Sequence, residues 1–206
     1  YDALFIDEIS MAPLLPMFFA LGLVSSSCTL IGDFLQLPPI GTQSKYELLQ
    51  NWHNRSFFDI LGMNSVGKAR SSEFVKPLSI QYRMNPAIAA IPNKLFYGDI
   101  LQSGDNTKTR VLSDQWVQDQ PLFLVDTSEG APWMNRGPNG QSRCNLYHET
   151  LAAAMAQDYL ANETQDGKEI TVGVVVPYRS QKDLINDILD ESLGKNSPAR
   201  KRIEVN

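Results

Sequence analysis

Three short stretches carry side chains whose type and spacing suit phosphate chemistry. The first is Leu4-Phe5-Ile6-Asp7-Glu8, an apolar run that ends in two carboxylates. In a nucleotide-hydrolysing protein the Asp of such a pair holds Mg²⁺, directly or through water, and the Glu polarises the attacking water. A strand running into a solvated turn has the same pattern. The second is Gly32-Asp33-Phe34-Leu35-Gln36-Leu37-Pro38-Pro39. A glutamine on a proline-braced loop can hydrogen-bond a γ-phosphate and report its loss; a stiff loop with an exposed Gln is the plain alternative. The third is Gln81-Tyr82-Arg83-Met84-Asn85-Pro86. An arginine at the entry to a capped helix offers a planar fork for phosphate oxygens, and the tyrosine beside it offers an aromatic face for a base. Here the alternative is a surface Arg next to a packed Tyr.

The elements that must position these residues alternate between strand and helix. Ala3 to Ile6 and Cys28 to Ile31 are apolar without alternation, as in strands covered on both faces of a parallel sheet. Their acidic ends fall outside the carboxyl ends of the strands, where ligands bind in such sheets. Ser56 to Leu61 is expected as a short helix closed by Gly62, and Phe74 to Ile80 as a strand or extended linker. Asn85 is an N-cap with Pro86 at the first helical position. That helix should run toward Tyr97 and stop at Gly98, with Pro92 kinking it or marking its real start. Gln102 to Cys144 is polar, interrupted by an apolar strand at Pro121 to Val125 and a turn at Gly137-Pro138-Asn139-Gly140. Leu151, Met155 and Tyr159 give one helix face. Ile170 to Val176 is a β-branched strand. Ser180 is expected to cap a further helix, with Asp183 in a box-like arrangement. Ile185, Ile188 and Leu189 form its apolar stripe, and Gly194 ends it. No internal repeat is evident.

At 206 residues and 43% hydrophobic, the chain can bury a core as one domain or two small ones. A net charge of −5 argues against binding nucleic acid by bulk charge but leaves room for a local basic groove. No apolar run has the length of a membrane span; Ala12 to Val24 is short and broken by Pro13 and Pro16. Tyr1-Asp2-Ala3-Leu4 carries no basic region, so a signal peptide is not expected. Cys28 and Cys144 lie far apart, Cys28 is expected as a buried free thiol, and a reducing intracellular compartment fits. The abrupt start and end lead us to expect a piece of a longer protein.

Taken in order, the three stretches resemble the superfamily-1 helicases, in the branch of the nonsense-mediated-decay RNA helicases and the related DNA helicase-nucleases. The family wording is Asp-Glu-Ala-small/polar, then Gly-Asp-x-x-Gln-Leu-Pro-Pro, then Gln-Tyr-Arg-Met-His-Pro. Leu95-Phe96-Tyr97-Gly98, Ser142-Arg143-Cys144-Asn145 with Glu149, and Val174 to Gln181 look like the same family. The resemblance implies an α/β fold made of parallel-sheet RecA-like P-loop NTPase lobes. Residues 1–70 would be the C-terminal part of a first lobe and 71–206 most of a second, with 102–144 irregular. It also implies an ATP-dependent helicase, a hydrolase using ATP and Mg²⁺ on single-stranded DNA or RNA, moving 5′ to 3′. Such a protein would be a monomeric motor within a larger intracellular chain, cytoplasmic or nuclear. A motor-inactive nucleic-acid-binding or regulatory module of the same fold is the alternative; joint retention of Asp7, Glu8, Gln36 and Arg83 argues against it.

Carried over residue by residue, Asp7 would serve Mg²⁺ and Glu8 the hydrolytic water. Gln36 would sense the γ-phosphate, with Asp33 supporting its loop. Tyr82 would stack near the adenine, Arg83 would act as an arginine finger, and Glu149 would belong to the nucleotide-binding set. Pro177, Tyr178 and Gln181 lie where the second lobe approaches the strand. The sequence departs from the family at Ile9, Phe34 and Asn85, which stand for a small residue, a His or polar residue, and a His. The family carries its phosphate-cradling loop upstream of the Asp-Glu motif, so these 206 residues alone are not expected to hydrolyse ATP efficiently. Gly62 to Lys68 matches Gly-x4-Gly-Lys, but Ala69 stands where the magnesium-binding hydroxyl belongs, and a loop between lobes is the better reading. His53 and His148 have no metal-type spacing. Packing or loop anchoring is favoured over base stacking for Trp52, Trp116 and Trp133. Arg200-Lys201-Arg202 is a basic patch for phosphates or a solvated turn.

Overall fold

The computed structural model describes residues 1–40, 46–111, 120–130, 133–137, 140, 142–160 and 169–206, without the side chains of Asn51 and His53. Trp116, Pro138 and Asn139 therefore lie outside the described residues. The chain forms two compact units, Tyr1–Thr107 and Lys108–Asn206. Both mix helices with small, mostly parallel sheets.

In the first unit, β1 (Ala3–Ile6) runs parallel to β2 (Ser27–Leu30), with Ala3 opposite Ser27 and Ile6 opposite Leu30. Parallel strands need a crossover, and α1 (Leu14–Leu21) supplies it. Leu14 and Met17 of α1 bury against Ile9 and Phe57. The ladder continues beyond β1: Ile31 N–H donates to the Ile6 carbonyl and Ile9 N–H to the Ile31 carbonyl. Between them Glu8 sits at φ +56°, a left-handed conformation uncommon for a side-chain-bearing residue. The Asp7-Glu8 pair thus occupies a sharp turn at the carboxyl end of β1. The expectation of strands covered on both faces is corrected. Phe5 is 72% exposed and Cys28 is exposed rather than a buried thiol. Among the described residues β1 and β2 pair only with each other, which leaves their outer edges open, and Ala3 and Phe5 lie exposed on one face of β1.

Next come α2 (Glu47–His53), α3 (Phe57–Ile60) and α4 (Val66–Ser71). Ser56 and Asp59 cap α3 reciprocally: Ser56 Oγ accepts from Asp59 N and Asp59 Oδ2 accepts from Ser56 N. Burial raises the Asp59 carboxyl, but hydrogen bonds from Ser56 and Asn64, with the charge of Arg55, outweigh it and hold the group below its usual value. Gly62 closes the turn at φ +71°. The Gly-x4-Gly-Lys stretch follows helix α3 rather than a strand, and Lys68 Nζ donates to Asn64 Oδ1.

Of Phe74 to Ile80 only Ile80 enters a strand. β3 (Ile80–Gln81) runs parallel to β4 (Gln102–Ser103). Between them α5 (Pro86–Pro92) starts as expected, with Asn85 Oδ1 accepting from Ala87 N at 2.9 Å. Pro92 has no N–H to give, and from there the helix widens into a π-turn, Asn93–Tyr97, stopped by Gly98 at φ +58°.

The second unit holds β5 (Asn135–Arg136) antiparallel to β6 (Arg143–Cys144), then α6 (Leu146–Leu160). β7 (Val172–Val174) and β8 (Ile203–Val205) pair in parallel, joined through α7 (Arg179–Leu193) and α8 (Pro198–Lys201). Ile185 and Leu189 of α7 meet Ala153, Ala156, Ile203 and Val205 in one core, with Ile188 packed beside them. That matches the stripe expected for α7. On α6 the buried face is Ala153 and Ala156, not Leu151, Met155 and Tyr159, which stay partly exposed. Small side chains let the helix axis approach the sheet, and the large ones fall on the flank. Pro121 to Val125 forms no strand; Leu124 is 91% exposed. The basic cluster is neither a phosphate patch nor a solvated turn at Arg200. Its guanidinium binds Asp190 at 2.6 Å, Asn186 Oδ1 at 2.5 Å and the Ile203 carbonyl at 2.8 Å. Among the described residues no helix is long and apolar enough to cross a membrane.

Candidate nucleotide-hydrolysis site

The turn after β1 presents Asp7 and Glu8 to solvent. Asp7 Oδ1 accepts from Glu8 N at 2.9 Å. The remaining carboxylate oxygens of the pair have no protein partner among the described residues. This turn is bound to the Gly32–Pro39 loop through Ile9. A Cβ on Gly32 would lie 3.0 Å from Ile9 Cγ1, 3.1 Å from Ile9 N and 3.2 Å from Phe58 Cε2. A side chain at position 32 would require Ile9 and Phe58 to give by a few tenths of an ångström, so glycine suits this close approach. Ile9 is fully buried, and Phe34 packs edge-on against Phe58 with ring centroids 5.7 Å apart. Phe58 packs against the same cluster as Ile9. Two of the departures from the family wording thus contribute to one packed seam beneath the site.

Asp33 organises the loop itself. Its Oδ1 accepts from Leu35 N at 3.0 Å. Its Oδ2 accepts from Gln36 Nε2 at 2.9 Å and from the Tyr97 hydroxyl at 2.5 Å. Burial, then the hydrogen bond to Asp33 and the charge of Asp33, push the Tyr97 hydroxyl up to about 12, against an opposing contribution from Gln36. Tyr97 ends the π-turn that continues α5, and α5 begins just after Arg83.

The arginine stretch is held by its own glutamine. Gln81 Nε2 donates to the Met84 carbonyl and to Ser103 Oγ, both at 2.8 Å. Gln81 Oε1 accepts from Arg83 N at 2.9 Å and Met84 N at 2.8 Å. A side-chain amide has two donors and two lone pairs, so this one is fully engaged in shaping the loop. Tyr82 is 58% exposed, with its ring laid on Gly104, where a Cβ would fall 2.4 Å from Tyr82 Cε1. Arg83 is exposed and its backbone is fixed by Gln81. Sequence reading assigned no role to Gln81, Tyr97 or Gly104. Gln81 and Tyr97 stand inside the quoted stretches; Gly104 has no local signal, because its constraint comes from a ring more than twenty positions away.

In the second unit the entry of α7 differs from expectation. Ser180 is not the cap; it is the second helical residue. The helix starts at Arg179 after Tyr178, and Ser180 N donates to Ser142 Oγ at 3.0 Å. A residue distant in sequence supplies the cap. Arg143 stands 5.9 Å from the Tyr178 ring centroid, within cation–π range. Pro177 and Tyr178 are exposed, while Gln181 Oε1 is buried without a hydrogen-bond partner. Glu149 is 1% exposed at the first turn of α6. Both its oxygens accept from Asn145 N, at 2.9 and 2.8 Å. His148 Nε2 shares a hydrogen bond with Thr127 Oγ1 at 2.8 Å. Trp133 is exposed. Among the described residues no group of three or more His, Cys, Asp or Glu could hold a metal ion by itself.

The turn after β1 thus presents two open carboxylates, is tied to a glutamine loop and is followed in the chain by an arginine loop. A family model described as an AAA domain matches residues 53–206. The chain belongs to that family and is a superfamily-1 helicase domain of the branch that holds the Upf1-like and Dna2 proteins. It is 29% identical over 196 residues to Helicase sen1 of Schizosaccharomyces pombe, covering 95% of this chain and 11% of that protein. It is 29% identical over 221 residues to the human DNA replication ATP-dependent helicase/nuclease DNA2, covering 94% and 19%. It is 23% identical over 208 residues to the ATP-dependent helicase upf1 of S. pombe, covering 100% and 21%. The chain thus spans about a tenth to a fifth of the length of these relatives.

Proposed function

We propose that the full-length protein is an ATP-dependent helicase or translocase. It moves along single-stranded DNA or RNA, 5′ to 3′, as a monomeric intracellular motor. The observation that supports this best is the anchoring of the Asp33–Gln36 loop on two sides. Ile9 and Gly32 tie it to the Asp7-Glu8 turn, and Tyr97 ties it to the segment that follows Arg83. Residues 1–70 and 71–206 are read as parts of two RecA-like lobes.

Asp7 fits a magnesium ion. It offers an exposed carboxylate oxygen without a protein partner among the described residues, and magnesium commonly takes one or two carboxylates beside phosphates and water. The bound ion would neutralise charge on the β- and γ-phosphates. Glu8 orients the attacking water and accepts its proton. Gln36, steadied by Asp33, senses the γ-phosphate. Arg83 stabilises the charge that builds on the transferred phosphoryl group, and Tyr82 stacks on the base from its seat on Gly104. Glu149 serves the nucleotide side by fixing the Asn145 turn, since its own oxygens are engaged there. Pro177, Tyr178 and Gln181 face the strand, with Pro177 and Tyr178 exposed to meet it.

The test is ATP hydrolysis by the full-length protein with and without single-stranded DNA and RNA, beside Arg83→Ala. Strong stimulation by one polymer, lost in the variant, supports the motor and names its track. A folded protein that binds ATP and responds to neither polymer sinks the reading.

A further inference from the structure

Two donors converge on one oxygen of Asp33: Gln36 Nε2 at 2.9 Å and the Tyr97 hydroxyl at 2.5 Å. An ionised carboxylate only accepts hydrogen bonds, so it decides the orientation of the Gln36 amide: the NH₂ group faces Asp33. One N–H and the carbonyl oxygen are then left for a ligand. Gln36 is exposed, and a glutamine side chain has much rotamer freedom to lose before it can act as a sensor. The carboxylate that removes this freedom is itself held from two directions, by Leu35 N within its own loop and by Tyr97 from 64 residues away.

Tyr97 is well placed to hold it firmly. The π-turn that carries it is clamped to the chain before β4: Asn93 Nδ2 donates to the Leu101 carbonyl at 3.0 Å and Leu101 N donates to Asn93 Oδ1 at 2.9 Å. The other end of the same helical segment begins at Pro86, three residues after Arg83, capped by Asn85. One continuous element therefore joins the backbone beside Arg83 to the carboxylate that orients Gln36.

We propose that Tyr97 is a positioning residue for phosphate sensing: its hydroxyl, through Asp33, sets the Gln36 amide and links that setting to the Arg83 segment. The inference rests on the proposed ATPase. It adds that the hydroxyl of Tyr97 acts on turnover without touching nucleotide, and acts chiefly through the hydrogen bond to Asp33.

Strand-stimulated hydrolysis is measured for the full-length protein, Tyr97→Phe, Asp33→Asn and the double variant, with melting temperatures alongside. Tyr97→Phe removes one hydroxyl and keeps the ring. Its kcat should fall about tenfold, the size of one hydrogen bond to a charged group, with KM for ATP changed by less than about twofold. The double variant should be no slower than Asp33→Asn alone, because both substitutions break one chain of contacts. A rise in KM at unchanged kcat, or losses that multiply in the double variant, overturns the assignment. Unchanged kinetics in Tyr97→Phe beside an active wild type overturn it while leaving the motor reading intact. A wild type without stimulated hydrolysis defeats both. If Tyr97→Phe melts early, Asp33→Asn decides: a variant with wild-type turnover removes the route through Asp33 and overturns the assignment.

Discussion

In the first unit Asp7 and Glu8 stand exposed on a left-handed turn with one hydrogen bond between them. In the second, Glu149 is buried with both oxygens on one backbone N–H, and Arg200 binds three partners at once. A charge whose capacity is filled by the protein holds structure, and removing it strands its partners. A charge left open contributes little to folding and is available to a ligand. On the proposed function, the contrast separates the charges offered to a ligand from those used for shape.

Substitutions can break that contrast. The largest effect is expected for Glu8→Gln in the full-length protein. Turnover should fall about a hundredfold to ten-thousandfold, as for loss of a general base, with the melting temperature unchanged. A large fall in melting temperature would show that Glu8 belongs with the structural charges. Arg200→Ala should do the reverse, costing about 2 kcal/mol in urea unfolding through loss of its hydrogen bonds to Asp190, Asn186 and the Ile203 carbonyl. Glu149→Ala should cost about 2 kcal/mol by leaving the Asn145 N–H buried and unpaired, and Glu149→Gln should recover part of it. A nucleotide-binding defect in Glu149→Gln without loss of stability would move Glu149 to the chemical side.

Two smaller effects sharpen the comparison. Gly104→Ala puts a methyl where the Tyr82 ring lies. The ring can swing away, so the fold should hold, while affinity for a fluorescent ATP analogue should weaken about fivefold through lost stacking. Unchanged affinity would detach Tyr82 from the base. Asp59 is held below its usual 3.8. Its folded-state value is depressed, so its contribution is complete above 3.8 and lost as pH falls through the folded value. Asp59→Asn should accordingly flatten the acid limb of the urea midpoint against pH, and an unaltered limb would assign that limb to other carboxylates.

Much of the fold was legible in the sequence where the cause is local. Asn85 caps the helix expected of it, the short helix expected from Ser56 forms, Gly62, Gly98 and Gly194 take positive φ at helix ends, and Ile185 and Leu189 face the core. Each of these depends on neighbours within one or two turns. Ser180 misled because a serine before an apolar stripe reads as a cap, while the acceptor used is Ser142 Oγ. Cys28 misled because apolar neighbours imply burial only when something covers the strand. Leu151, Met155 and Tyr159 misled because periodicity marks a face but not its orientation, and the alanines of α6 pack closer.

The sequence by itself determined which residues are proposed for the chemistry: the motif wording and order that give the family resemblance single out Asp7, Glu8, Gln36, Tyr82 and Arg83. Only the tertiary structure decided how they are held. Gly32 against Ile9, Gly104 under Tyr82, and Tyr97 on Asp33 join segments as many as 64 residues apart. The reason is physical: a hydrogen bond or a close approach depends on distance in space, and the packing of β1, α1 and α5 sets that distance.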